Sequence, residues 1–84
     1  MHFTVTAEVD ATAMFDDESA DWRYCKDQAT FAHAEACEFV IHCGDDDYVA
    51  GRLQEMTAAG CSADFIAAYR RAAESGAVRV LFYA

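Results

Sequence analysis

Hydrophobic residues alternate with polar ones near the start of the chain, which is the period of a β-strand. In the segment FTVTAEV every odd position is apolar and every even position is threonine or glutamate. Successive side chains of a strand point to opposite faces, so this alternation predicts a half-buried strand over about 3–10. In residues 78–83 both faces carry apolar side chains, which predicts a strand in the interior of a sheet; these are Val78, Val80, Leu81, Phe82 and Tyr83. A third, shorter strand over 22–25 is a weaker candidate, in which Trp22 and Tyr24 share a face.

Two segments in the second half of the chain carry apolar residues at helical spacing. Residues 46–58 place Val49, Leu53 and Met56 at i, i+4 and i+7, and residues 63–74 follow a serine suited to an N-cap. A glycine follows each segment, so two consecutive helices are predicted. They resemble a DNA-binding helix-turn-helix in outline. An aspartate and two apolar residues open the second helix where base contacts would be made, so a helical hairpin in the core is favoured.

Residues 30–43, TFAHAEACEFVIHC, fit two patterns. Their last seven residues, 37–43, alternate as a strand would. A helix would instead collect most of the apolar side chains on one wide arc and set Glu35, Glu38 and His42 on a narrow polar face. The alanine content also favours a helix. We therefore predict a helix over 30–43.

These elements predict one α+β domain covering residues 1–84. A small antiparallel sheet of two or three strands would pack against three helices, because strands followed by helices are typical of that class. No apolar run approaches the ~20 residues that cross a bilayer. The start, MHFTVTAEVD, lacks the basic and apolar regions of a signal peptide. We therefore predict a cytoplasmic protein, whose four cysteines would be reduced.

The net charge of the chain limits its possible functions more than any sequence motif does. Fifteen acidic residues face six basic ones, for a formal net charge of −9. Phosphates require a basic footprint, so direct binding of nucleic acid is not expected and a basic protein partner is. On the predicted helix, two carboxylates would form a line leading into a second acidic cluster. The candidate partner-binding residues are Asp16, Asp17, Glu18, Asp21, Glu35, Glu38, Asp45, Asp46 and Asp47.

Three consecutive aspartates, in the stretch GDDDYVAGRLQ, allow three interpretations. A calcium loop of the EF-hand type needs alternating oxygen ligands, a glycine at position six and a glutamate at position twelve, which are absent. Asp45 can instead cap the helix that follows, while Asp46 and Asp47 suit its positive end. One aspartate suffices for a cap, so the surplus charge could equally be displayed to a partner.

Cysteine and histidine side chains offer one further chemistry. His33 and Cys37 lie one turn apart on the predicted helix and Cys43 follows, so a metal site is conceivable. His42 would lie on the opposite face, and there is no CxxC pair. A reactive cysteine needs an electropositive setting that this chain does not offer. No enzyme, metal or cofactor is predicted.

In overall character the chain resembles the small acidic anti-CRISPR proteins of phages and mobile elements. The resemblance rests on the 84-residue length, the net charge of −9, the clusters DDESAD and GDDDY, and the lack of an enzymatic motif. It implies a DNA mimic that binds a type I CRISPR effector (Cascade) in the bacterial cytoplasm and blocks target DNA. These proteins share no signature, so the resemblance assigns no residue. The alternative is a small acidic adaptor or antitoxin-like binding module.

Overall fold

A computed structural model of the protein describes residues 5–15 and 19–84, which form four β-strands, three α-helices and one 3-10 turn. Residues 1–4 and 16–18, including part of the predicted first strand, lie outside this description. In chain order the elements are β1 (Thr6–Asp10), α1 (Ala20–Gln28), β2 (Phe31–His33), the 3-10 turn (Ala34–Ala36), β3 (Glu38–His42), α2 (Asp46–Ala58), α3 (Ala63–Glu74) and β4 (Arg79–Tyr83).

The four strands form one mixed sheet in the order β1-β4-β3-β2. β4 runs parallel to β1 and antiparallel to β3, and β3 is antiparallel to β2. The predicted α+β class is confirmed, but the sheet has four strands and is not purely antiparallel. Parallel neighbours need a long crossover connection, and most of the chain, with all three helices, lies between β1 and β4.

Residues 22–25, predicted as a strand, belong to α1, so that prediction is wrong. The hydroxyl of Ser19 caps this helix by accepting a hydrogen bond from the Trp22 N–H at 3.1 Å. The buried side chains of α1 are Asp21, Tyr24 and Cys25, at the i, i+3, i+4 spacing of a helix. The predicted strand covered only four residues, which is too few to distinguish the periodicity of a helix from that of a strand.

Residues 30–43 form a β-hairpin, and the helix predicted there is also wrong. The 3-10 turn and Cys37, whose φ is 51°, connect β2 to β3. Phe39 and Ile41 are fully buried while Glu38 and His42 are exposed, which is the alternation of a strand. Helix propensities differ by less than about 0.7 kcal/mol per ordinary residue, whereas burying one large apolar side chain is worth ~1.5–3 kcal/mol. Packing therefore outweighs the alanine content.

The other two predicted helices agree with α2 and α3 at both ends. Asp45 and Ser62 are their N-caps, and Gly60 and Gly76 follow them with φ of 81° and 91°. A positive φ suits glycine because it has no Cβ, so each helix ends two residues before its glycine. Within the described residues, no helix combines the length and the apolar character needed to span a membrane.

The helices pack on one face of the sheet, and the core lies between them. Phe82 of β4 packs on Phe65 of α3 with ring centroids 4.5 Å apart, and Phe39 of β3 packs edge-on against Phe15 at 5.5 Å. We call this side the covered face. Its largest fully buried side chains are Phe39, Ile41, Met56, Phe65, Tyr69, Val80 and Phe82.

Candidate protein-interaction surface

The opposite side of the sheet, which we call the open face, carries the side chains that alternate with the core residues. These side chains are exposed or half-buried. The strand register aligns them in rows across the sheet, because paired residues of neighbouring strands point to the same face. Read from β1 toward β2, the rows are Thr6, Arg79, His42; Glu8, Leu81, Val40, Phe31; and Asp10, Tyr83, Glu38, His33.

The apolar centre of the open face is made by the middle row, from Leu81 through Val40 to Phe31 on the edge strand β2, with Tyr83 in the adjoining row. Phe31 is 63% exposed and Tyr83 is 39% exposed, while Val40 and Leu81 between them are half-buried. An exposed aromatic side chain on a regular strand costs little entropy when a partner covers it. Contiguous apolar surface with a polar surround is typical of a protein-interaction site.

Carboxylates border this apolar centre on the side of β1 and at one end of β3. Glu8, Asp10 and Glu38 belong to the open face and are exposed. Hydrogen bonds from the Thr12 hydroxyl at 2.6 Å and the Thr12 N–H at 3.0 Å lower the pKa of Asp10. Asp10 is therefore ionised at neutral pH. The open face thus has an apolar centre and a partly acidic border.

The three consecutive aspartates lie at the start of α2. Asp45 caps the helix by accepting a hydrogen bond from the Tyr48 N–H at 2.8 Å, as predicted. Asp46 and Asp47 occupy the exposed first turn, where their charge favours the positive end of the helix dipole. Tyr48 is 42% exposed, and its hydroxyl accepts a hydrogen bond from Arg52 at 3.1 Å.

Glu35 and Glu38 do not form one line with these aspartates. Glu35 lies in the 3-10 turn and Glu38 begins β3, whereas the aspartates follow the other end of that strand. At ~3.3 Å per residue, the length of β3 alone separates the two groups by about 13 Å. The predicted row of carboxylates on a single helix is therefore wrong. The chain presents at least two separate exposed acidic regions.

Asp21 is buried, so its predicted place in an exposed acidic cluster is wrong. It is 3% exposed and its carboxylate accepts hydrogen bonds from the Ser62 N–H at 2.7 Å and the Ser62 hydroxyl at 2.6 Å. These bonds join α1 to the start of α3. The helical spacing of Asp21 with the buried Tyr24 and Cys25 was the signal that could have found this role. The other members of that cluster, Asp16, Asp17 and Glu18, lie outside the described residues.

The cysteines and histidines are dispersed. His33 is exposed on the open face, Cys37 lies at the hairpin turn and Cys43 follows β3. Burial raises the pKa of Cys43, against a hydrogen bond with Tyr69 that lowers it. Across residues 5–15 and 19–84, no three histidine, cysteine, aspartate or glutamate side chains are grouped so as to hold a metal ion.

The open face was missed from the sequence for an identifiable reason. In the predicted helix over 30–43, Phe31 falls outside the apolar arc and Glu38 lies on the polar face. Neither residue is then assigned to a sheet. The alternation of 37–43 was the available signal. Applying it would have placed Glu38 and Val40 on one side of a strand and Phe39 on the other.

Comparisons with protein-family models, curated proteins and solved structures found no match to this chain. Its function must therefore be argued from the chemistry of its own residues. The open face is the strongest candidate site, because it presents exposed aromatic side chains on a hydrogen-bonded sheet.

Proposed function

We propose that the protein is a binding module whose open face docks on a basic surface of another protein. The exposure of Phe31 and Tyr83 beside Val40 and Leu81 carries the proposal. Interfaces draw most of their affinity from a few central aromatic or apolar side chains that a polar rim shields from water. The middle row of the open face supplies such a centre, and Glu8, Asp10 and Glu38 supply part of the rim.

The size of the open face indicates how much more surface the partner must touch. Strands ~4.8 Å apart and about five residues long give a face of roughly 300 Å² for four strands. A standard interface buries about 800 Å² per partner. Contacts must therefore extend past the rim, onto regions such as the hairpin turn at Glu35 or the start of α2 at Asp46 and Asp47.

The net charge of −9 supports a partner with a basic surface. A strongly acidic protein is attracted to a basic surface, and such association is fast and weakens as salt rises. Proteins that bind DNA present basic grooves. Our specific hypothesis is that the partner is a type I CRISPR effector, Cascade, and that the protein occupies its DNA-binding groove and excludes target DNA.

Competition for target DNA tests this hypothesis directly. The purified effector would be titrated with the protein while its binding of labelled target DNA is followed by fluorescence anisotropy. We expect inhibition that weakens between low and physiological salt. The variant with Phe31→Ala and Tyr83→Ala should lose about tenfold or more in potency, since the two exposed aromatic side chains of the open face are removed. Glu74→Lys on the exposed side of α3 is the control, because it changes charge far from the open face.

The outcomes separate the specific hypothesis from the general one. If the effector binds DNA undisturbed, the CRISPR hypothesis fails and an adaptor or antitoxin-like role becomes the alternative. The general proposal is then tested by recovering partners from host lysate at low and high salt. If the double variant recovers the same partners as the native protein, the open face is not the binding surface.

A further inference from the structure

The outer edge of β1 is a second surface, separate from the open face. β1 lies at one end of the sheet and pairs with β4, and no other strand of the described residues pairs with it. The N–H of Ala11 donates to the Tyr83 carbonyl at 2.7 Å, so odd-numbered residues direct their backbone groups toward β4. Because these directions alternate along a strand, Thr6, Glu8 and Asp10 direct N–H and C=O groups outward.

A groove runs beside this edge, between β1 and α3. It has a volume of about 540 Å³. Its lining includes Ala7 and Val9 from the strand and Ala68 and Ala72 from the helix, with Arg71 also present. The alanine and valine side chains of this lining are short, so they leave room for the side chains of one more strand. An added strand would thus find both backbone partners and space for every second residue.

The charge beside the edge selects which strand can be added. The Glu8 and Asp10 side chains stand on the open-face side of the edge, and neither forms an ion pair with another described residue. A second copy of β1 would bring its own carboxylates to the same face, and like charges across strands are destabilising. A strand bearing lysine or arginine there would gain cross-strand pairs instead. The acidic edge therefore opposes self-association and favours a basic partner.

We propose that β1 accepts an extended basic segment of a partner protein as a fifth, antiparallel strand. Its lysine or arginine side chains would lie beside Glu8 and Asp10, and small apolar side chains between them would enter the groove. Main-chain hydrogen bonds would supply the affinity and the alternating side chains the specificity. The inference rests on the same preference for a basic partner as the proposed function, but it uses another surface, because Phe31 lies at the opposite edge of the sheet.

A short peptide of alternating lysine and valine, eight residues long and blocked at both ends, is the test probe. It would be titrated into the full-length ¹⁵N-labelled protein while amide hydrogen exchange is measured by NMR. We expect the amides of Glu8 and Asp10, which point outward, to exchange roughly tenfold more slowly in the complex. The amides of Ala7 and Val9 already face β4 and should change little. A glutamate–valine peptide should not bind.

Methylated peptides separate strand addition from simple charge attraction. In an antiparallel pair the residue opposite Glu8 places its side chain on the same face, so lysine amides would bond to β1 and valine amides would point away. Methylation of the lysine amides should therefore abolish binding, and methylation of the valine amides should leave it unchanged. Equal binding by the two methylated peptides would overturn the proposal.

Variants at Glu8 give a second, independent measurement. Glu8→Pro removes an outward N–H without touching the ladder to β4, since proline is tolerated on edge strands, and should weaken binding about tenfold or more. Glu8→Gln keeps the edge and should weaken it about two- to fivefold. Glu74→Gln, with the same charge change on the exposed side of α3, is the matched control.

Two further outcomes would count against the proposal. Unchanged binding by Glu8→Pro would place the peptide elsewhere. The protein could also sediment as a dimer and show slow exchange of the Glu8 amide before any peptide is added. In that case the edge of β1 pairs with a second copy of the chain. Phe31→Ala should leave peptide binding intact, so failure of the open-face proposal and failure of this one are distinguishable.

Discussion

The two faces of the sheet come from the same strands yet have different consequences. The covered face buries Phe39 and Phe82 completely, whereas Phe31 and Tyr83 on the open face remain exposed. Neighbouring residues in the chain, such as Phe82 and Tyr83, therefore differ in burial although both are aromatic. An aromatic side chain therefore stabilises this fold most where the helices cover it. On the open face the same kind of side chain is available to a partner.

The largest effect that we expect is a difference in stability between variants at two neighbouring residues of β4. Phe82→Ala should lower the free energy of unfolding by about 3–5 kcal/mol, because it removes a buried ring that packs on Phe65 and leaves a cavity. Tyr83→Ala, one residue later, should cost less, about 1–2 kcal/mol, since 39% of that residue is already exposed to water. Urea denaturation of both variants measures the difference. Equal losses would mean that the open face is part of the core.

The next effect concerns the layer of helices that makes the covered face. Asp21→Ala should cost about 1.5–3 kcal/mol, because it removes the buried carboxylate that accepts two hydrogen bonds from Ser62. Asp47→Ala is the matched control and should stay within about 0.5 kcal/mol, since Asp47 is exposed. Equilibrium urea titrations would compare the two. A loss in Asp21→Ala no larger than that of the control would contradict a role for Asp21 in joining α1 to α3.

A smaller effect should appear at the start of α2. Asp45→Ala should cost about 1 kcal/mol, because the Tyr48 N–H loses its capping acceptor. Asp45→Asn keeps an acceptor and should cost only a few tenths of that. Asp46→Ala should cost about 0.3–1 kcal/mol through the helix dipole, with the loss reduced at high salt. Thermal denaturation at two salt concentrations distinguishes the cap from the dipole.

The smallest change at neutral pH concerns the thiols under the helices. Burial, with the nearby charge of Asp21, raises the pKa of Cys61 to about 12, against ~8.5 for an unfolded thiol. The folded state then holds a proton that the unfolded state releases above pH ~8.5, so this contribution to stability is intact at pH 7 and is lost as the pH rises toward 12. Burial raises the pKa of Cys25 in the same direction.

Urea titrations between pH 7.5 and pH 10 would measure this loss. The native protein should become less stable across the range, and Cys61→Ala should decline less steeply. Stability that stayed level or rose with pH would contradict the proposed burial of the thiol.

The helices that were predicted correctly are those whose evidence is local. For α2 and α3, a capping residue, an apolar stripe and a terminating glycine lie within one segment, as Asp45 and Gly60 illustrate for α2. The segment 30–43 carries local signals that conflict, because its apolar residues fit a helical arc, its alanines favour a helix and residues 37–43 alternate as a strand would. Its strands form because β3 pairs with β4, a segment about forty residues later in the chain. No local pattern reports on that pairing.

Sequence alone determined the α+β class, the two long helices with their caps, and the surplus of negative charge. Tertiary structure alone decided that Asp21 is buried, that β1 and β4 run parallel, and that Phe31 and Tyr83 share an exposed face. The physical reason is how far apart in the chain the interacting residues are. Caps, helix stripes and net charge act within a few residues or add up over the chain, whereas strand order and burial depend on contacts between distant segments that form together.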